Sequence, residues 1–234
     1  MDRREFVRLC AGTAVAAACW RGAPAFAEAA ADFAPARLVK ADGTPLQAAE
    51  VGTAEAMVFA YPYRGIPCFL VNLGKRMARP VALTSPDDGD YTSPPGVGPH
   101  ANLVAFVAIC THQLSYPKPA DSMIRYAAAG SPTAGAPGRI VCCTHGSVFD
   151  PAAGGVRISG PAPNPLLPVR LAHDAATNGL TATGSVGDQF FERFFRTYKP
   201  DLIDRFGPGG YRQPVGDTTP AVPLGEYSAL VPAC

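Results

Sequence analysis

The chain has 234 residues, with 20 Lys and Arg against 19 Asp and Glu, a net charge of +1 and four histidines. Charge this evenly balanced, with no basic stripe, excludes nucleic acid as a partner. Its 24 glycines and 25 prolines leave little room for long helices, and short apolar segments punctuated by Pro, Gly and Asp predict an all-β protein.

Taken in order, residues 1–27 read as a twin-arginine export signal. Asp2-Arg3-Arg4-Glu5-Phe6-Val7-Arg8 precedes a short apolar run, 9–20, and a small-x-small cleavage site at Ala25-Phe26-Ala27. A periplasmic protein exported in the folded state is expected. The run is shorter than the roughly 20 residues of a spanning helix, and Arg8 and Arg21 bound it, so cleavage is expected. The lipobox-like Ala16-Ala17-Ala18-Cys19 is a second way of holding the N-terminus. No later run is long and apolar enough to span a bilayer, so membrane association would come only through a partner or an uncleaved N-terminus.

Strands are predicted over 36–40, 57–61, 67–72, 103–109, 140–142 and 168–171, and the turn pair Asn178-Gly179 leads into another at 180–182. Residues 127–138, made of small residues and two prolines, read as an irregular loop tip extending a hairpin between 123–126 and 139–141. Beyond Gly184 the pattern changes. Phe190, Phe191, Phe194, Phe195 and Tyr198 give one aromatic face to a helix over 186–199, which Pro200 should end. That face packs either on the protein's own domain or on a larger partner subunit. The Pro/Gly-rich tail that follows has no period and reads as an extended arm.

Two short pairs carry the chemistry: Cys110-Thr111-His112, and Cys142-Cys143-Thr144-His145 followed by Gly146-Ser147. Each supplies one thiolate and one imidazole. Together they can give two sulfurs to one iron and two ring nitrogens to a second, the mixed ligation of a [2Fe–2S] centre in which histidines replace two of four cysteines. Neutral imidazoles relieve the negative charge that holds all-cysteine clusters near about −400 mV, so such centres span roughly −150 to +300 mV. A ring nitrogen away from the iron carries a proton whose affinity depends on the metal's charge, which couples electron to proton uptake. Mixed Cys/His donors also suit zinc, whereas haem attachment needs C-x-x-C-H and a Cys–His nucleophile needs only one pair. Cys143-Thr144-His145 is itself a C-x-H, so Cys142 is favoured as ligand over Cys143 without excluding it. His100 and His173 receive no role. Cys68, Cys143 and Cys234 are either buried free thiols or disulfide partners, with Cys68–Cys234 one way to tie down the tail. Cys143 could also tune a cluster electrostatically.

Ile109-Cys110-Thr111-His112, Cys142-x-x-His145-Gly146-Ser147 and Gly160-Pro161-Ala162-Pro163 resemble the high-potential Rieske proteins of cytochrome bc complexes and of arsenite oxidase small subunits. Phe59-Ala60-Tyr61-Pro62, Gly96-Val97-Gly98-Pro99 and Leu103-Val104-Ala105-Phe106 are similar to the arsenite oxidase branch. The resemblance implies an all-β Rieske fold over 33–185, an antiparallel base domain with an inserted cluster-binding subdomain, its loops at about 109–150 and a proline loop at 160–163. A short helix and extended tail follow over 186–234. It implies Cys110 and Cys142 on an inner iron, His112 and His145 on an outer one, His145 toward quinol, and Ser147 donating to a cluster sulfide so that its removal lowers the potential.

Three departures from that family stand out. Its inter-loop disulfide positions hold Ser115 and Thr144, and its sulfur-bonding tyrosine is Phe149, which implies a lower potential than in typical bc-complex members. The gap between the two pairs is also lengthened by 127–138. The expected function is a periplasmic electron-transfer subunit passing single electrons from quinol or a larger redox subunit toward a c-type cytochrome. The competing reading is an exported, zinc-stabilised binding module without redox activity. A Rieske hydroxylase would need a further mononuclear iron site, and no 2-His-1-carboxylate arrangement can be assigned with the two remaining histidines.

Overall fold

The computed structural model describes residues 33–85 and 89–234, so the expected export signal lies outside the described residues. Strand β1 (Ala36–Val39) is followed by a hairpin of β2 (Met57–Ala60) and β3 (Pro67–Asn72), then by a separate hairpin of β4 (Ala82–Ser85) and β5 (Gly89–Thr92). Strand β6 (Leu103–Val107) pairs antiparallel with β3. The chain then builds a second sheet from β7 (Ile124–Ala127), β8 (Arg139–Cys142), β9 (Ser147–Asp150) and β10 (Val156–Ser159), in the order β10-β9-β8-β7. It returns to the first sheet through β11 (Pro168–Asp174) and β12 (Gly179–Ser185). Because β11 pairs directly with β6, Pro168 opposite Phe106, the four-stranded sheet is an insertion between two neighbours of the larger one. This is the all-β base with an inserted subdomain that the sequence implied.

Strands β3 and β6 are buried nearly throughout, because both faces of the base sheet are covered. Cys68, Leu70, Ala105 and Val107 face one core, while Phe69, Val71, Val104 and Phe106 face the other, where Ile124, Ile140 and Phe149 of the inserted sheet pack against them. The residues that hold the subdomain in place are thus the alternate residues of the strands that build the base.

Helix α1 (Asp188–Thr197) buries Phe190, Phe191, Phe194 and Phe195, each worth about 1.5–3 kcal/mol of burial. The aromatic face therefore packs on this chain's own domain, against Phe33, Tyr63, Tyr116 and Tyr211. Pro200 does not stop the helical path. The turn breaks at Tyr198 and α2 (Lys199–Phe206) begins, with Pro200 in its first turn, where a missing N–H costs nothing.

The tail is extended, as its composition suggests, but it is built into the fold. Strand β13 (Thr218–Pro220) runs parallel to β1, and β14 (Val222–Pro223) runs antiparallel to β2. These two form opposite ends of the sheet order β13-β1-β12-β11-β6-β3-β2-β14. Only Ala221 separates them, its N–H bonded to Val39, while the Thr219 hydroxyl donates to the Ala60 carbonyl. One arm thereby joins the two edges of the sheet. A last short helix, α3 (Leu224–Tyr227), precedes the C-terminus. No helix among the described residues is long and apolar enough to cross a membrane.

Candidate metal centre

Both Cys–His segments are tight loops with the same backbone closure. In the first, the Leu114 N–H bonds to the Cys110 carbonyl and the Cys110 N–H to the Ser115 carbonyl. In the second, the Gly146 N–H bonds to the Cys142 carbonyl, and Cys142 pairs with Ser147 across β8 and β9. The residue four places after each cysteine is left-handed, Leu114 at φ 59° and Gly146 at φ 71°. Glycine takes that conformation freely and leucine does so at a cost, so only the second turn is announced by its sequence.

This shared geometry brings the predicted side chains together. Cys110 and Cys142 are free, each 1% exposed, and their sulfurs lie within hydrogen-bonding reach of one another. Contact with Cys110 pushes Cys142 down against the cost of its burial, helped by the Thr144 amide and by the Ser115–Thr144 hydroxyl pair beside it. Cys110 is pushed up by that same contact and by burial, although the His112 amide and the Ser147 hydroxyl favour its anion. Outward of the sulfurs, the rings of His112 and His145 meet edge-on with centroids 4.8 Å apart. His112 is half-buried and His145 exposed.

Two features fit this cage to a metal group. The Nδ1 atom of His112 is buried and has no hydrogen-bond partner, a costly state for a polar atom unless something else meets it. Two thiols pressed together with donors already aimed at their sulfurs are a site prepared for anionic thiolates. The donors fall two and two, sulfur inside and imidazole outside.

The proline loop closes over this pair of turns. Ser147, fully buried, accepts a hydrogen bond at Oγ from the Ala162 N–H at 3.1 Å, and Thr111 Oγ donates to the Asn164 carbonyl at 2.7 Å. Gly160, at φ 83°, sits so close that a Cβ there would lie 2.5 Å from the Gly146 carbonyl oxygen. Phe149 is buried and offers no hydroxyl.

The proposed Cys68–Cys234 link does not form. Cys234 is bonded instead to Cys143, with Cα atoms 5.5 Å apart and a separation of 91 positions in sequence. Cys68 lies fully buried in β3, its thiol pushed up by burial and directed at the Tyr61 carbonyl. It faces the aromatic core, whereas the tail ends beside the loops. The disulfide also removes the idea of Cys143 as a charged tuner and leaves Cys142 as the free thiol of the adjacent pair. The loop tip at 127–138 is more ordered in its contacts than its small residues suggest: Ala134 is buried with Ala127 and Val141, with Cys234 packed against them.

Sequence reasoning missed two further supports. Tyr116 lies with its ring 4.9 Å from both Phe194 and Tyr198, and Tyr198 Oη donates to the Gln113 carbonyl beside His112. Asp150, at the end of β9, takes a two-pronged hydrogen bond from Arg76 of the base domain at 2.7 and 3.0 Å and pairs with Arg139. An aromatic four residues after a proposed ligand histidine was the only signal for the first, and nothing local in sequence pointed to the second.

The paired Cys–His loops, covered by a proline loop on an inserted sheet, are the arrangement that the resemblance to Rieske proteins implies. No family model matches the chain. Among solved structures it is similar to the crystal structure of the soluble domain of the Rieske protein II (soxF) from Sulfolobus acidocaldarius, with 28% sequence identity over 66% of this chain and 79% of that one and a TM-score of 0.48.

Proposed function

We propose that this chain is an iron–sulfur electron-transfer subunit that holds a [2Fe–2S] cluster through Cys110, His112, Cys142 and His145. In this reading it works in the periplasm, taking single electrons from quinol or a larger redox subunit and passing them toward a c-type cytochrome. One observation carries the reading: two buried free thiols in contact, on turns whose imidazole rings lie 4.8 Å apart.

A bound cluster supplies one-electron exchange at the rim of the protein. The chain's own residues set its conditions. Cys110 and Cys142 give thiolates on the buried side, where Phe149, Ile140 and Leu166 belong to the same core and keep water away. Hydroxyls of Ser115, Thr144 and Ser147 reach toward the ligand sulfurs and favour the more negative, reduced state. His112 turns its buried Nδ1 inward, which leaves its Nε2 to carry the proton. His145 is exposed and is the side chain a docked donor would meet first, so an electron and a proton can be accepted at one place.

A structural zinc ion asks for three or four donors converging on one point. Here two buried thiols are set apart from two outer imidazoles, and a two-and-two division suits two metal atoms better than one. Visible absorption and electron paramagnetic resonance of the dithionite-reduced protein decide the matter. A rhombic iron–sulfur signal is expected, and a colourless protein with stoichiometric zinc would overturn the proposal.

A further inference from the structure

The last part of the chain grips both Cys–His loops from outside. Helix α1 and Tyr198 brace the first loop through Tyr116 and Gln113. The tail then runs along the segment leaving that loop: Ser228 Oγ donates to the Lys118 carbonyl at 2.7 Å, the Ala229 N–H to the Pro119 carbonyl, and the Ser122 N–H to the Leu230 carbonyl. It finishes in the disulfide to Cys143, next to Cys142 in the second loop. Between the loops themselves the polar links are the Ser115–Thr144 hydroxyl pair at 2.9 Å and the contacts at the two cysteine sulfurs.

We propose that the C-terminal tail is a clamp on the metal centre, and that Cys143 and Cys234 are positioning residues that hold the second loop, and with it His145, in register with the first. A hydroxyl pair contributes about 1 kcal/mol and can exchange with water, so it cannot by itself fix two exposed turns. A covalent bond from the second loop to a strap already bonded behind the first does so. The strap is anchored in turn by β13 and β14 at the edges of the base sheet. The clamp rests on the Rieske reading above, because the ligand it positions is His145.

The test compares the wild type with Cys143→Ser/Cys234→Ser and with Cys234→Ser alone, each loaded with cluster. In both variants the paramagnetic g-values should broaden, and the cluster should be lost roughly tenfold to a hundredfold faster in the presence of a chelator, the usual effect of removing outer support from a metal site. Adding Ser115→Cys with Thr144→Cys to the double variant, where the two side chains already meet, should restore the cluster lifetime. Unchanged line shape and lifetime, with only a lower melting temperature, would reduce the disulfide to a general staple and overturn the clamp. If the double variant fails to fold, recovery of a loaded protein in the rescued form supports the clamp, and failure of that form too overturns it. A wild type without the rhombic signal overturns the Rieske reading itself, whereas a normal wild type with indifferent variants sinks only the clamp.

Discussion

Arg76 reaches from the base domain to Asp150 at the end of β9, closing a two-pronged bond at 2.7 and 3.0 Å across the junction between the two sheets. Burial works against the Asp150 carboxylate, yet Arg139 and Arg76 together hold it below the usual carboxylate range. A carboxyl whose folded value is depressed adds stability above its unfolded pKa of about 3.9 and loses it as pH falls through the folded value. Asp150→Asn should therefore lower the melting temperature at neutral pH, and its deficit against the wild type should shrink below about pH 4. Parallel melting curves from neutral to acid pH check this.

Ser147→Ala should leave the fold intact and lower the reduction potential. The hydroxyl reaches the Cys110 sulfur, and hydrogen bonds to a charged acceptor are worth about 1.5–3 kcal/mol, or roughly 60–130 mV for one electron. A spectroelectrochemical titration reads the shift, with that figure as its upper bound.

Phe149→Tyr tests the opposite sign. The ring is fully buried on the inner side of the site, and a hydroxyl that reached a ligand sulfur would stabilise the reduced state and raise the potential. A variant that stays folded with an unchanged potential would show that Phe149 points elsewhere.

Replacing the exposed histidine, as in His145→Cys, should keep a cluster but exchange a neutral imidazole for an anionic thiolate. A lower potential is expected, with a weaker dependence on pH. An unchanged titration removes His145 from the ligand set.

Phe194→Ala empties a fully buried position beside Tyr116, and Phe→Ala changes in cores cost about 3–5 kcal/mol. Denaturant unfolding measures that loss. Because Tyr116 follows His112 in the same loop, cluster loss should also quicken in the folded variant.

The strands most legible in sequence are those with continuous apolar runs. Residues 67–72 match β3 end to end, since both faces of that strand are buried and nothing polar interrupts it. The strands missed are the edge elements, the β4–β5 hairpin and β9, an inner strand that follows directly on the second Cys–His loop. The pairings of β13 and β14 depend on where β1 and β2 lie in space, and a stretch such as Thr218–Pro220 carries no periodicity of its own. At the metal centre, residue type and spacing pointed to Cys110, His112, Cys142 and His145, whose side chains the fold brings together. The partner of Cys143 was invisible because cysteine counts constrain the number of bridges and not their connectivity. The Arg76–Asp150 bond was hidden for a similar reason, as its partners are 74 positions apart.

Because the same terminal arm supplies both outermost strands, the base sheet is completed only after residues 218–223 have been made. Until those residues leave the exit tunnel, β1 and β2 present bare backbone donors and acceptors, the kind of border along which unfinished chains associate. A chain cut short before those residues would lose solubility along with its tail.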